Sequence, residues 1–308
     1  MKNFFHIILA CSFVLASCTA DPVPDGGHRM VPVEVSLSVE DVKDATRAAA
    51  SLFPGVENWI FDYYYCQYNS SGISVTSGHR RADLVNGDLF AVDQVWLWDL
   101  EGCTVVYVAN IRPAGGSYGD DPGWENGSVV KMADNMDTFR TMKFDMGERL
   151  ALAEAGTLGH TPMCGYWKGN ITPDINSASD PFHMTVTLGR MIVRINLVVT
   201  NKSSSAVNGV TLHDAAAKAY IYPQVKNIPL ADEDYTDIHN NISIAKNGTA
   251  NIYFYTAPNF CDGGGRRTSL SFTNAAGKTA VMEIGDNVED GDYNLYMNTI
   301  YTYTITLK

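Results

Sequence analysis

The chain has no C-x-x-C pair, no Walker loop, no H-E-x-x-H pair and no Rossmann glycine fingerprint. A zinc ribbon, a thioredoxin-type redox centre and a phosphate-cradling loop therefore lack a local framework. The sequence calls for no cofactor, no metal and no enzymatic activity. Charge is also scarce. Only 18% of the 308 residues are charged, and the balance is acidic, with a formal net charge of −12. An acidic surface repels phosphate backbones, which argues against a nucleic-acid partner. The one short basic run, His79-Arg80-Arg81, is too small to reverse that. Hydrophobic residues make up 45%, so the chain is neither disordered nor membrane-spanning as a whole. Its length suffices for two domains with separate cores.

Two further patterns look catalytic or metal-binding and are better read as turns. Gly115-Gly116-Ser117-Tyr118-Gly119 matches G-x-S-x-G, but a nucleophile elbow needs a helix directly after the serine. Asp120-Asp121-Pro122-Gly123 follows instead. Asp286, Glu289, Asp290 and Asp292 form an acidic loop, yet Val288 and Met297 occupy positions where an EF-hand needs ligands. A solvated hairpin turn fits better.

The N-terminus carries the sharpest local signal. Lys2 precedes an apolar stretch from Phe4 to Val14, shorter than the roughly 18–20 residues of a permanent membrane helix. Leu15-Ala16-Ser17-Cys18 then matches a bacterial lipoprotein cleavage box. Residues 1–18 read as a signal peptide whose Cys18 becomes the acylated N-terminus, anchored in the outer membrane by several acyl chains. Residues 19–32 form a Pro/Gly/Asp-rich tether. Cys11 leaves with the signal. Cys66, Cys103, Cys164 and Cys261 remain, and spacing leaves open whether they pair or stay as buried thiols.

The rest reads as strands. Val33, Val35, Leu37 and Val39 alternate with Glu34, Ser36 and Ser38, the period of a half-buried strand. Ala45-Thr46-Arg47-Ala48 follows, an arginine among small residues, open either to a trypsin-like protease or simply to solvent. A strand from Trp59 to Gln67 returns through the turn at Asn69-Ser70-Ser71-Gly72. Val92 to Leu100 and Cys103 to Ile111 are expected to pair with each other. Met132, Met136 and Phe139 fall at helical spacing, which predicts a short amphipathic helix over Val130 to Phe144. A polar stretch from Asn170 to Pro181 sets the expected boundary between domains at 33–172 and 183–308. Beyond it come one long strand from Met184 to Val199 and shorter ones at Ala219 to Tyr222, Thr249 to Tyr255, Ser269 to Thr273, Thr279 to Ile284 and Ile300 to Leu307. Frequent short strands predict an all-β chain of tandem β-sandwiches. Trp96 and Trp98 share a strand face and Tyr63 and Tyr65 another; such aromatics either fill a core or stack on sugar rings. The Gly263 to Arg267 loop reads as a flexible hairpin tip.

Several stretches, in order along the chain, resemble the fimbrillin superfamily of two-domain pilins and pilus-associated lipoproteins. They are the lipobox; Ala45-Thr46-Arg47-Ala48, similar to an arginine processing site; Glu57-Asn58-Trp59-Ile60 through Gly72, similar to an opening hairpin; Val106-Tyr107-Val108-Ala109-Asn110; Pro162-Met163-Cys164-Gly165; Val186-Thr187-Leu188-Gly189-Arg190-Met191-Ile192-Val193-Arg194-Ile195; and Asn298-Thr299-Ile300-Tyr301. Cys164 departs from the family's usual serine, and Gly189 and Val193 vary the arginine strand. The resemblance implies two transthyretin-like β-sandwiches and assembly with other pilin subunits by strand exchange. Val33, Val35, Leu37 and Val39 would form the exchangeable segment, a detachable edge within a removable stretch at 33–47. Arg47 and Ala48 would flank the cleavage. Because the sequence stops after the strand ending at Lys308, a tip, anchor or accessory role is expected rather than a shaft role. The alternative is an outer-membrane lipoprotein that binds glycans; no receptor is identified.

Overall fold

A computed structural model describes residues 27–40, 43–44, 60, 62–81, 90–110, 133–145, 161–172, 180–222, 228–262, 264–277 and 279–308. The described residues are nearly all β, with one short α-helix, in two tandem transthyretin-like sandwiches. Its elements in order are β1 (Met30–Val39), β2 (Lys43–Asp44), β3 (Asp62–Tyr68), β4 (Ser74–Arg81), β5 (Phe90–Trp98), β6 (Cys103–Ala109), α1 (Met136–Thr141), β7 (Lys143–Asp145), β8 (Met163–Gly169) and β9 (Phe182–Arg190). There follow β10 (Val193–Asn201), β11 (Val207–Ala216), β12 (Lys218–Tyr220), β13 (Tyr235–Asn240), β14 (Thr249–Thr256), β15 (Ser269–Asn274), β16 (Thr279–Glu283) and β17 (Thr299–Leu307). Among the described residues, no helix is long and apolar enough to cross a membrane.

The first sandwich is one seven-stranded sheet, β4-β3-β6-β8-β9-β1-β5, folded on itself. β8 and β9 pair only at Met163↔Arg190 and Cys164↔Gly189, which makes that junction a corner. The layers β4-β3-β6-β8 and β9-β1-β5 then face each other across Val33, Val35, Leu37, Tyr65, Leu97, Val105, Met184 and Val186. Bonds cross the gap. The Tyr107 hydroxyl donates to Met184 Sδ at 3.6 Å, and the Gln67 amide donates to the Trp98 carbonyl and accepts from its N–H, each at 2.8 Å. The expected pairing of β5 with β6 does not occur. Both alternate correctly, but Val95 and Leu97 face Val105 and Tyr107 through the core, so the chain arches between layers at Glu101-Gly102.

The second sandwich stacks β14-β10-β17-β2 on β13-β11-β15-β16. The long strand expected from Met184 to Val199 breaks at Met191-Ile192. Its first part, β9, pairs in parallel with β1 in the first sheet, while β10 begins the second. β9 lies beyond the expected boundary at 173–182 yet joins the first sheet, and the buried positions change parity across the break, from Met184, Val186 and Leu188 to Val193, Ile195 and Leu197. The helix is also shorter than expected: α1 has six residues, with Met136 and Phe139 buried, and Lys143–Asp145 leaves it as strand β7. Asn135 starts it, its side chain accepting from the Thr138 N–H.

β7 crosses to the second half and pairs with β12. Asp234, whose side chain is 1% exposed, holds this junction by ion-pairing Lys143 of β7 and, at 2.8 Å, Lys218 of β12. Burial alone would push its carboxyl up, but the two ammonium groups outweigh that and hold it below the ordinary carboxylate value. A depressed folded value means the clamp stabilises fully above the unfolded carboxylate value near 4 and is lost as pH falls through the folded one. Two predictions follow from this geometry. Urea midpoints measured from pH 7 down to 3 should show an acid-side loss that Asp234→Asn flattens, with the variant about 3 kcal/mol less stable at pH 7 because two cations lose their partner. At the corner, a Cβ on Gly165 would lie 2.3 Å from the Thr187 carbonyl oxygen. Gly165→Ala should cost roughly 1–3 kcal/mol in the same assay, and an unchanged midpoint would contradict the close approach.

Candidate functional site

The first strand is the densest concentration of apolar burial at the start of the described chain. Val31 is 2% exposed and Val33, Val35 and Leu37 are fully enclosed, while Val39 is half-buried against the same core. At roughly 1.5–3 kcal/mol each, these side chains contribute as much as the whole net stability of an ordinary domain. Both backbone edges of β1 are engaged. It runs antiparallel to β5 from Met30↔Trp98 to Ser38↔Phe90, and parallel to β9 from Val33↔Phe182 to Val39↔Leu188. The expected edge position is therefore corrected: β1 fills a slot inside its layer. Alternation could not reveal this, since inward and outward faces are the same for a strand with one neighbour or two.

Each end of β1 is held by side chains. At the start, Asp99 Oδ1 accepts from the Arg29 N–H at 2.8 Å, the Asp99 N–H donates to the Arg29 carbonyl at 3.0 Å, and His28 Nδ1 donates to the Asp99 carbonyl at 2.7 Å. At the far end, the Glu40 N–H donates to the Leu188 carbonyl at 2.8 Å. Arg190, 3% exposed, donates from Nη1 to the Glu40 carbonyl and to Asn298 Oδ1, both at 2.7 Å. Asn298 Nδ2 then reaches Glu40 Oε2 at 3.2 Å. Asn298 takes the left-handed conformation, φ 56°, and its N–H meets the Arg190 and Ile192 carbonyls at 2.9 and 3.0 Å. β2 follows, paired with Thr299 and Ile300 of β17, so the leading segment touches both sandwiches.

Four of the stretches that carried the family resemblance converge here. Ala109 and Met163 are partners in the β6–β8 ladder, and Asn110 Nδ2 donates to the Thr161 carbonyl at 3.0 Å. The Met191 N–H donates to the Pro162 carbonyl at 2.8 Å, and Arg190 binds Asn298. Sequence reading found these stretches one by one; nothing in their spacing signalled that they meet, and it missed Asp99 and Glu40 altogether.

Val33, Val35, Leu37 and Val39 lie together on the slot's inner face. Cys18, Arg47 and Ala48 lie outside the described residues, as does the Gly115–Gly119 loop. Among the described residues, Cys66, Cys103, Cys164 and Cys261 form no disulfide with one another. Burial raises the thiols of Cys103 and Cys164, and that of Cys261 to about 11, which keeps them protonated. In the acidic loop, Asp286 accepts from the Tyr301 hydroxyl and Asp292 from the Tyr296 hydroxyl, at 3.2 and 3.1 Å. The Gly263 to Arg267 loop is tied rather than free at its basic end. Arg266 pairs with Asp214 and Asp232 at 2.9 and 3.0 Å, and Arg267 lies 3.8 Å from the Tyr293 ring centre. Tyr63 and Tyr65 are core residues against Tyr107. Trp98 packs on the first core, whereas Trp96 stands 48% exposed.

The fold is similar to that of solved fimbrial proteins. The tip fimbrial protein Mfa3 from Porphyromonas gingivalis superposes with a TM-score of 0.61 at 14% identity, covering 90% of this chain and 94% of that one. A fimbrial assembly protein from Parabacteroides distasonis gives 0.51 at 13%, covering 90% and 91%. The fimbrial anchor protein Mfa2 from Porphyromonas gingivalis gives 0.51 at 13%, covering 89% and 90%. No family model and no curated protein matches the sequence.

Removing the hinge contact should loosen β1. Asn298→Ala deletes the acceptor of Arg190 and puts alanine at a left-handed position, so it should cost roughly 1–3 kcal/mol. Native-state hydrogen exchange should show amides of residues 33–40 opening more readily than those of β10. Equal protection in variant and parent would contradict the clamp.

Proposed function

We propose that this chain is a fimbrial subunit or fimbria-associated surface lipoprotein, assembling with other subunits by β-strand exchange and acting in adhesion. The observation that carries the reading is the slot. One leading strand supplies the apolar floor and both hydrogen-bond ladders between β5 and β9. Its departure would leave an apolar groove lined by unpaired backbone groups, which another subunit's strand can fill by β-augmentation. The likeness in fold to a tip protein and an anchor protein favours a tip, anchor or accessory position over the shaft.

In this reading the chain is exported, acylated at Cys18 and held on the outer membrane. A trypsin-like protease cuts after Arg47, which severs the covalent link between the acyl anchor and the folded body, and the anchor leaves with β1 when that strand is exchanged. Only Ala45 and Thr46 separate Arg47 from β2, so the released segment carries both β1 and β2. The slot and the adjoining stretch of β17 open together. An uncut chain would stay anchored at the base.

The test is the mature N-terminus. Mass spectrometry of the assembled protein should find Ala48 first, and Arg47→Ala should leave an acylated Cys18 N-terminus in the membrane fraction. Assembled protein that begins at Cys18 regardless of the substitution would overturn the exchange.

A further inference from the structure

The outward face of the β9-β1-β5 layer combines features that strand exchange does not use. Glu34 is in register with Gln94 on one side and His183 on the other, placing three polar side chains in a row across the layer. His183 Nδ1 lies 3.0 Å from Glu34 Oε1, and their side chains are 69% and 41% exposed. Two rows farther along the layer Ser38 and Thr187 join hydroxyls at 3.5 Å, and Thr185 is exposed between them and His183. Along β5 the same face carries Val92 and Trp96, 49% and 48% exposed. An open concavity of about 540 Å³ lies over the polar row, bounded by Val92, Asp93, Asp180 and Pro181.

We propose that this face binds neutral hexopyranose oligosaccharides, with Trp96 as the stacking platform and Glu34, Gln94 and His183 as hydrogen-bonding partners. A rigid strand holds the indole half out of solvent contact, which is the state in which an aromatic face offers area to a ligand at little entropic cost. The ring's apolar face suits the C–H side of a pyranose. A carboxylate, a carboxamide and an imidazole accept and donate as sugar hydroxyls require. Charge selects the class. Among the described residues the concavity is lined by three carboxylates and by no lysine or arginine, so phosphorylated, sulfated or sialylated glycans are repelled. Among the described residues no group of His, Cys, Asp and Glu is arranged to hold a metal ion, which sets that use of the carboxylates aside. Asp93 is a fixed wall, its carboxylate accepting from the Tyr63 hydroxyl and the Gln94 N–H. From Trp96 to Val92 the strand spans roughly 13 Å, enough for more than one sugar ring. Because Glu34 belongs to β1, the site exists as described only while that strand is in place.

The test uses the intact chain with β1 present, so that its outcome does not depend on whether strand exchange takes place. Maltohexaose, cellohexaose, mannohexaose and galactohexaose are titrated by calorimetry and tryptophan fluorescence, with sialyllactose as the anionic counterpart. At least one neutral probe should bind and shift the fluorescence. Trp96→Ala should weaken binding by more than tenfold, and Gln94→Ala, at an exposed position that leaves folding intact, by roughly three- to tenfold. Far-ultraviolet circular dichroism should be unchanged in both. Absence of binding by every neutral probe, unaltered affinity in Trp96→Ala, or sialyllactose binding as tightly as the neutral sugars would each overturn the proposal.

Discussion

The structure depends on one strand being seated between two others. β1 supplies β5 with its partner and supplies β9 with a parallel neighbour, and its inward side chains complete the core between the layers. Without it, β9 and β5 would border a gap one strand wide, with the remaining core side chains open along one side. The strand's apolar contribution is on the scale of a domain's entire net stability. The first sandwich is therefore complete only with β1 or a substitute in the slot. That constraint gives strand exchange a thermodynamic basis: an emptied domain has a large free-energy gradient toward any strand that restores both ladders and the packing.

The β8–β9 corner of the first sandwich lies beside the junction that holds the end of β1. The chain turns there with a close backbone approach at Gly165, and the Arg190–Asn298–Glu40 node ties the end of β1 to β17 in the second sandwich. Farther out, the Asp234 clamp secures β7 to β12. These contacts differ in kind. The node engages the leading segment itself, through Glu40, whereas the Asp234 clamp joins elements that remain if that segment leaves. The Asp234 clamp therefore does not depend on the leading segment.

Much of this was legible from residue order alone. Period-2 alternation located β1, β10 and β17, and the pair Met136 and Phe139 located the helix. Part of what escaped shares one cause: alternation reports a face but not a neighbour. It could not say that β1 has two partners or that β5 and β6 lie in opposite layers, whereas the break between β9 and β10 is marked by the apolar positions changing from even to odd numbers after Leu188. β11 was missed because its register shifts between Leu212 and Ala215, where Asp214 takes φ 49° and breaks the period. The helix was overextended because Met132 continues the spacing of Met136 and Phe139 while the Asn135 side chain caps the helix at Thr138. Of the site, the apolar residues of β1 were visible as a strand, whereas Asp99, Glu40 and the meeting of Arg190 with Asn298 are set by tertiary distance. Trp96 and Trp98 looked equivalent, and packing separates them.

The central claim is that β1 is integral to the fold yet replaceable. It is tested most directly by cutting the purified chain after Arg47 and adding a fluorescent peptide that spans residues 29–44. The account predicts that the nicked protein keeps its original segment until the peptide is supplied, then exchanges it and retains its melting transition. A nicked protein that sheds residues 30–44 at once with no loss of stability would contradict it.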